Sequence, residues 1–154
     1  MKVALGSDHA GFLYKELFKR ALADAGHEVD DLGCDTDAVP SDYTEISEAV
    51  ARAVTDGDAE RGVIVAGSGN GEAIVANKLH GIRATVCNDL YTAEMARRHN
   101  DGNVLCVGQR VMGEPVALKI LDTWMTTAFE GERHLPRLAN IAALEERLRK
   151  EYGA

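Results

Sequence analysis

The sequence predicts an α/β fold in which a parallel sheet of five strands is covered by helices on both faces. Strand-like and helix-like segments alternate along the chain, which is typical of parallel sheets. Short apolar runs such as 63–66 and 104–107 match strands that are buried on both faces. The length of 154 residues fits one domain. We therefore expect a single three-layer, doubly wound domain of the Rossmann or flavodoxin type over residues 1–154, with an extra C-terminal helix.

The predicted elements follow one another in a regular order. Strands are predicted at 3–5, 28–33, 63–66, 84–87 and 104–108, with the second at the edge of the sheet. Helices are predicted at 12–25, 43–55, 73–79, 90–98, 114–129 and 138–152. In the first helix, apolar residues recur with a period of 3.6 from Phe12 until Gly26 ends it. The last helix has Ile141, Leu144 and Leu148 on one face, which could cover an edge of its own subunit or pack on a partner.

The composition argues against several classes of protein. The formal net charge is −8 and no basic patch is apparent, so nucleic acid is not expected as a partner. No apolar run reaches the roughly 20 residues of a membrane span, and the N-terminus resembles a strand start rather than a signal peptide. Cys34, Cys87 and Cys106 are widely separated without metal-ligand spacing, so we interpret them as free thiols in a reducing cytoplasm.

The sequence is organised around a glycine-rich loop, GSGNGE, that follows the strand at 63–66. A strand, a glycine loop and a helix in succession turn backbone N–H groups toward an anion. The loop lacks the Lys-Ser/Thr of a P-loop, and Glu72 stands where a dinucleotide-binding loop has its third glycine. Glu72 is therefore either a favourable charge at a helix N-terminus or a base beside an anion-binding loop.

Further polar residues follow the other strands, where open parallel sheets bind their ligands. These are Asp8-His9, Asn88-Asp89 and Gln109-Arg110. Taken singly, Asp8 could instead cap a helix, and His99 could complement a helix dipole rather than act as an acid or base. Arg133 and Arg137 could grip a phosphate or belong to a solvated loop. Tyr43 could bind a ligand with its hydroxyl group or simply pack.

Together these motifs resemble the ribose-5-phosphate isomerase B family, which includes galactose-6-phosphate isomerase subunits and tetrose-phosphate isomerases. The motifs are SDHAG at 7–11, GSGNGE at 67–72, ANK at 76–78, GIRA at 81–84 and HN at 99–100. The resemblance extends in order from Val3 to about Leu138. It implies an aldose–ketose isomerase that works through a cis-enediolate without metal or cofactor. It also implies homodimers, sometimes tetramers, whose active sites are built across two subunits.

The resemblance assigns a role to each candidate residue. One branch of the family has a cysteine base where this chain has Ala66, whereas the other has a glutamate that matches Glu72. The implied oxyanion hole is formed by the N–H groups of Gly67, Ser68, Gly69, Asn70 and Gly71. The other implied contacts are Asp8 and His9 to the sugar, His99 to the ring oxygen as proton donor in ring opening, Asn100 to the substrate, and Arg110, Arg133 and Arg137 to the phosphate. A carboxylate with an ordinary pKa of about 4.3 is a weak base, so burial must raise the pKa or the oxyanion hole must do most of the work.

The sequence does not decide which sugar phosphate is the substrate. Conversion of ribose 5-phosphate to ribulose 5-phosphate, in the pentose phosphate pathway, is the default of the family. A tetrose phosphate such as erythrulose 4-phosphate is the main alternative, and a hexose phosphate is a lesser one. From another class, a flavodoxin-like domain could sense a sugar phosphate without catalysis. Such a sensor would need the arginines and the glycine loop but no base at Glu72.

Overall fold

The computed structural model describes residues 1–153 and contains a parallel sheet of five strands in the order β2-β1-β3-β5-β4. The strands are β1 (Lys2–Ser7), β2 (Glu28–Asp31), β3 (Arg61–Ala66), β4 (Ala84–Val86) and β5 (Val104–Gly108). The helices are α1 (Phe12–Asp24), α2 (Tyr43–Thr55), α3 (Asn70–Ala76), α4 (Leu90–Arg98), α5 (Glu114–Thr126) and α6 (Leu135–Tyr152), with a 3₁₀ turn at Glu132–His134. The predicted fold class and the edge position of β2 are confirmed.

The core lies in two layers because successive strand residues face opposite sides of the sheet. On one side, Val3 and Leu5 pack in a cluster with residues of α1, α4 and α5, including the fully buried Trp124. On the other side, Ala4 and Ile64 pack in a cluster with residues of α2 and α3. The helices therefore cover both faces and leave the carboxyl edge of the sheet to the loops. Among residues 1–153, no helix combines the length and the apolarity needed to cross a membrane.

The start of α3 differs from the sequence prediction in a way that matters for the site. α2, α4 and β5 have the predicted bounds, but α3 begins at Asn70 rather than at residue 73 and ends at Ala76 rather than at residue 79. Gly69 precedes the helix with a φ of 83°, in the left-handed region that favours glycine, and turns the chain directly into the first turn. Gly71 and Glu72 therefore belong to the helix and not to a loop before it.

Two further helix ends were predicted wrongly, each for a local reason. α5 ends at Thr126, since Thr127 is extended and its hydroxyl group donates to the carbonyl oxygen of Thr123. α6 begins at Leu135 because Pro136 lies in its first turn, where proline has no N–H that needs a partner. The segment that carries Arg133 is consequently a 3₁₀ turn and not an irregular loop.

The edge strand β2 and the chain after it are held by a buried lysine. Lys15 on α1 is 1% exposed, and its Nζ lies 2.9 Å from Asp31 Oδ2 and 2.8 Å from the carbonyl oxygen of Cys34. A buried ammonium group is tolerated only when it is paired and hydrogen-bonded in this way. The contact fixes the beginning of the segment 34–42, which leads to α2.

The C-terminal helix α6 has no buried residue. Its predicted apolar face exposes Ile141, Leu144 and Leu148 by 43%, 42% and 40%. Glu145 tethers the helix to its own chain by accepting a hydrogen bond from the N–H of Gly81 at 3.3 Å. An edge of the same subunit therefore does not bury this apolar face.

Candidate active site

Three loops meet at the carboxyl edge of the sheet, as the sequence predicts for a doubly wound fold. They follow β1, β3 and β5. The N–H of Gln109 donates to the carbonyl oxygen of Ala66 at 2.8 Å and so joins the last two loops. A β-carbon placed on Gly67 would lie 3.6 Å from the guanidinium group of Arg110 and 3.8 Å from the side chain of Ala10. Arg110 is thus brought to the glycine loop.

The first turn of α3 presents its backbone donors at this edge. The first N–H bonded within the turn is that of Ala73, which donates to the carbonyl oxygen of Gly69 at 3.2 Å. The N–H groups of Asn70, Gly71 and Glu72 come earlier and have no carbonyl of their own helix to reach. The N–H of Asn70 donates to Ser68 Oγ at 3.4 Å, and that of Glu72 donates to its own carboxylate. The predicted oxyanion-hole donors therefore divide between the loop at 67–69 and this turn.

Glu72 is a carboxylic acid held in a poorly solvated position beside those donors. It is 5% exposed. Burial raises the pKa of Glu72 above its ordinary value, and the nearby negative charge of Asp8 raises it further, while a hydrogen bond from its own backbone N–H opposes both effects. A raised pKa makes the carboxylate a stronger base, which is one of the two alternatives that the sequence left open.

Asp8 and His9 are both fixed by hydrogen bonds before α1. Asp8 does not cap the helix, whose N-cap is Gly11. Instead, one carboxylate oxygen of Asp8 accepts from the N–H groups of Ala10 and Gly11 at 3.0 and 3.1 Å. The Nδ1 atom of His9 accepts from the N–H of Ser41 at 3.2 Å. In a neutral imidazole the proton then lies on Nε2, so His9 is prepared to donate to a ligand oxygen.

Tyr43 closes the side of this site next to α3. A β-carbon on Gly71 would lie 2.8 Å from the ring of Tyr43, so the ring packs directly on the backbone of that glycine. The packing interpretation of Tyr43 agrees with this contact, although the residue is still 38% exposed.

A second polar cluster lies at the opposite edge of the sheet. α4 begins after β4 and runs back to the amino end of β5, so His99 at its C-cap lies at the amino edge. The rings of His99 and His134 stack with their centroids 4.3 Å apart. Glu130 Oε2 is 3.7 Å from His99 Nε2 and 3.8 Å from His134 Nε2. We call His99, Glu130 and His134 the histidine cluster.

The remaining predicted residues accompany the histidine cluster and not the glycine loop. Arg133 donates from Nε to His134 Nε2 at 3.2 Å, and Arg137 donates to the carbonyl oxygen of Arg133. Asn100 is exposed next to His99. The pKa of His134 is lowered by loss of solvent and by the positive charges that surround it. Within one chain, the structure therefore places four of the predicted residues away from Glu72; they are His99, Asn100, Arg133 and Arg137.

Sequence reasoning missed three residues that the structure brings into these groups. Ser41 orients His9, and Glu130 and His134 complete the cluster around His99. Glu130 and His134 are four residues apart, and both are close in sequence to the two arginines. That spacing was the sequence feature from which the two residues could have been predicted. Ser41 and His9 are 32 residues apart in the sequence, and no local sequence pattern predicts their contact.

The fold and the site define a class of protein. A doubly wound sheet with a buried carboxylate, backbone donors and a cationic side chain at its carboxyl edge is an arrangement suited to enzymes that move protons on small anionic substrates. The family model described as Ribose/Galactose Isomerase matches residues 3–141. The chain belongs to this ribose/galactose isomerase family.

Relatives of known name agree with this membership. Ribose-5-phosphate isomerase B of Escherichia coli (strain K12) is 42% identical over 95% of this chain and 97% of its own length. D-erythrulose-4-phosphate isomerase of Pectobacterium atrosepticum is 34% identical over 94% of this chain and 95% of its own. Among solved structures, ribose-5-phosphate isomerase B of Clostridium thermocellum matches with a TM-score of 0.93 and 42% identity, covering 96% of this chain and 99% of that one.

Proposed function

We propose that the chain is an aldose–ketose isomerase that interconverts ribose 5-phosphate and ribulose 5-phosphate. The observation that carries the proposal is Glu72, a buried carboxylate with a raised pKa at the first turn of α3. The relatives named ribose-5-phosphate isomerase B, which match nearly end to end, support the choice of a pentose phosphate. The free thiols of Cys34, Cys87 and Cys106 fit a reducing compartment, so the cytoplasm is part of the proposal.

The proposed reaction uses Glu72 as a base on carbon. In the open-chain aldose, the carboxylate removes the proton from C2, and the electron pair moves to give a cis-enediolate with negative charge on O1. Backbone N–H groups of the loop at 67–69 and of the first turn of α3 stabilise that charge. The O2 proton then passes to O1, and Glu72 returns its proton to C1 to form the ketose. No metal or cofactor takes part in these proposed steps.

We infer that the site is completed by a second copy of the chain. His99 is assigned to protonation of the ring oxygen and Arg133 and Arg137 to the phosphate, yet these residues lie at the edge of the sheet opposite Glu72. The exposed apolar residues of α6 support association with another subunit, since an apolar helix face is normally buried. In a two-fold dimer, the histidine cluster of one subunit would face the glycine loop of the other.

A second substrate is favoured by a specific relative. The Pectobacterium protein is named for erythrulose 4-phosphate, one carbon shorter than the pentose. One methylene of misfit is worth only about 1–3 kcal/mol in a pocket, so some activity on a tetrose phosphate is expected alongside the main reaction. A non-catalytic sensor of sugar phosphates is the alternative from another class.

The experiment compares turnover of ribose 5-phosphate and erythrulose 4-phosphate by the purified wild-type protein and by Glu72→Gln. We expect turnover to be higher on the pentose, and Glu72→Gln to lower kcat by about 10²–10⁴-fold while substrate still binds. Glu114→Gln is the matched control, because Glu114 is an acidic residue in the first turn of α5 but is exposed. A higher kcat/KM on erythrulose 4-phosphate would make the tetrose phosphate the preferred substrate instead of the pentose phosphate. Full activity of Glu72→Gln would contradict the assignment of Glu72 as the base.

A further inference from the structure

The histidine cluster has the composition of a transition-metal site. Two imidazoles and one carboxylate each offer a ligand atom, and these atoms lie within 4.8 Å of one another. Nitrogen and oxygen donors in this 2-His-1-carboxylate set suit Zn²⁺ and neighbouring first-row ions. The three residues come from the end of α4, the segment before the 3₁₀ turn, and the turn itself. One chain therefore supplies all three ligands.

The distances within the cluster are close to those that an ion requires. A tetrahedral Zn²⁺ with bonds of about 2.0–2.1 Å keeps its ligand atoms about 3.3 Å apart. Glu130 Oε2 lies 3.7 and 3.8 Å from the two imidazole nitrogens, so these two pairs need closure by about half an ångström. All three ligand atoms lie within 4.8 Å of one another, and the two imidazole nitrogens must also approach to about 3.3 Å. The stacked rings must also rotate so that both lone pairs converge on the ion. The side chains of His99 and Glu130 are 30% and 32% exposed and have room to move, whereas that of His134 is only 13% exposed, so most of the adjustment falls to the first two.

Neighbouring guanidinium groups limit the affinity of the cluster. Arg98 lies 3.4 Å from Glu130, and Arg133 donates to His134 Nε2. An ion must displace the hydrogen bond from Arg133 to His134 and overcome the repulsion of the charges on Arg98 and Arg133. In that hydrogen bond Nε2 of His134 is the acceptor, so its lone pair points at Arg133 and becomes available to an ion once this contact is displaced.

We propose that His99, Glu130 and His134 form a binding site for a divalent transition-metal ion of the zinc type, which inhibits the enzyme. Coordination occupies the nitrogen of His99 that faces Glu130 and holds the ring away from the sugar. The ion is an inhibitor and not a cofactor. The inhibition rests on the proposed function, whereas the binding does not.

The binding test uses wild-type protein freed of metal with a chelator and titrated with Zn²⁺ in a calorimeter. We expect one ion per chain, and we expect His134→Ala to weaken Zn²⁺ binding by at least about tenfold, since loss even of an outer partner of a metal ligand costs that much. Co²⁺ as a second probe reports the coordination number of the bound ion through its visible absorption, which His134→Ala should change. Mg²⁺, which prefers oxygen ligands, should not bind detectably.

Two control variants separate the cluster from other groups that can hold zinc. His80 Nε2 lies 3.7 Å from Glu145, and among residues 1–153 no third ligand joins this pair of one imidazole and one carboxylate. Cys34 is partly exposed, whereas Cys87 and Cys106 are buried. His80→Ala and Cys34→Ser should bind Zn²⁺ as the wild type does. Unchanged binding by both His134→Ala and Glu130→Gln, or loss of the ion in either control, would overturn the site.

The activity test adds Zn²⁺ to the isomerase assay and then removes it with the chelator. We expect Zn²⁺ to lower kcat, the chelator to restore it, and His134→Ala to need at least about tenfold more Zn²⁺ for the same inhibition. Zn²⁺ bound at the cluster with unchanged kcat would overturn the inhibition. If the protein turned over no sugar phosphate at all, the calorimetric result would still decide the site, so the two failures are distinguishable.

Discussion

At the scale of the residue, Glu72 shows a conflict between folding and chemistry. Its carboxylate is 5% exposed, and burial together with the charge of Asp8 raises its pKa. At neutral pH the unfolded chain carries this carboxylate ionised and well solvated, whereas the folded chain must hold the charge in a less favourable place. The property that would strengthen the base therefore costs free energy of folding.

This conflict predicts that Glu72→Gln is more stable than the wild type at neutral pH. Well below the ordinary glutamate pKa of about 4.3, Glu72 is protonated in both states and contributes no penalty. As the pH rises, the unfolded state loses its proton first, so the penalty grows until the pH passes the raised pKa of the folded state. The gain in Tm of Glu72→Gln should grow over the same range.

Thermal unfolding at several pH values measures this effect. Glu114→Gln, at an exposed position in a first helical turn, should change the free energy of unfolding by no more than about 0.5 kcal/mol. If Glu72→Gln were less stable than the wild type at neutral pH, the carboxylate would be making a favourable contact, and its role as a strained base would be contradicted.

Local sequence patterns predict the residues of the glycine loop but not the partners of the histidines. Glu72 stands out because it replaces a glycine in a known loop pattern. The contact of Ser41 with His9 and the stacking of His134 on His99 depend on how distant segments pack. No local sequence pattern predicts such contacts between distant residues.

At the scale of the element, the start of α3 decides how the site is built. Gly69 adopts a φ of 83°, and a β-carbon there would lie 3.2 Å from backbone atoms of Cys106 and Val107. The tight turn against β5 lets the helix begin at Asn70, so Glu72 sits in its first turn. A longer loop would place the carboxylate elsewhere.

We predict that Gly69→Ala destabilises the fold and that Gly67→Ala does not. The left-handed conformation costs an L-residue about 1–2 kcal/mol, and the close backbone adds to that cost. A β-carbon on Gly67 meets only ordinary contacts, the nearest at 3.6 Å, so a change of no more than about 0.5 kcal/mol is expected. Urea unfolding of both variants gives the comparison, and equal losses of stability would contradict the account of the turn.

Periodicity predicts the interiors of elements better than their ends. α2, α4 and β5 agree with the prediction because clear caps or turns bound them; Asp42 and Asp89 accept hydrogen bonds from the first turns of the two helices. The ends of α3, α5 and α6 were missed where a glycine with positive φ, a threonine hydroxyl group or a first-turn proline decides the boundary. Such decisions depend on backbone geometry and not on apolar spacing.

At the scale of the whole molecule, the predicted site residues occupy two opposite edges of one sheet. Glu72, Asp8 and Arg110 lie at the carboxyl edge, and the histidine cluster lies at the amino edge. The predicted order of elements already implies this separation, since a helix between two parallel strands returns from the carboxyl edge to the amino edge and His99 follows such a helix. A shared site between two copies reconciles the geometry with the proposed reaction.

The central claim is that Glu72 of one subunit works with His99 of another, and one measurement tests it most directly. Glu72→Gln and His99→Asn chains are co-expressed with different affinity tags, and the mixed assembly that carries both tags is purified. In a two-fold dimer, one of its two sites then combines two unaltered residues, so we predict about half of the wild-type turnover of ribose 5-phosphate, far above either variant alone. A mixed assembly no more active than the single variants would contradict the shared site.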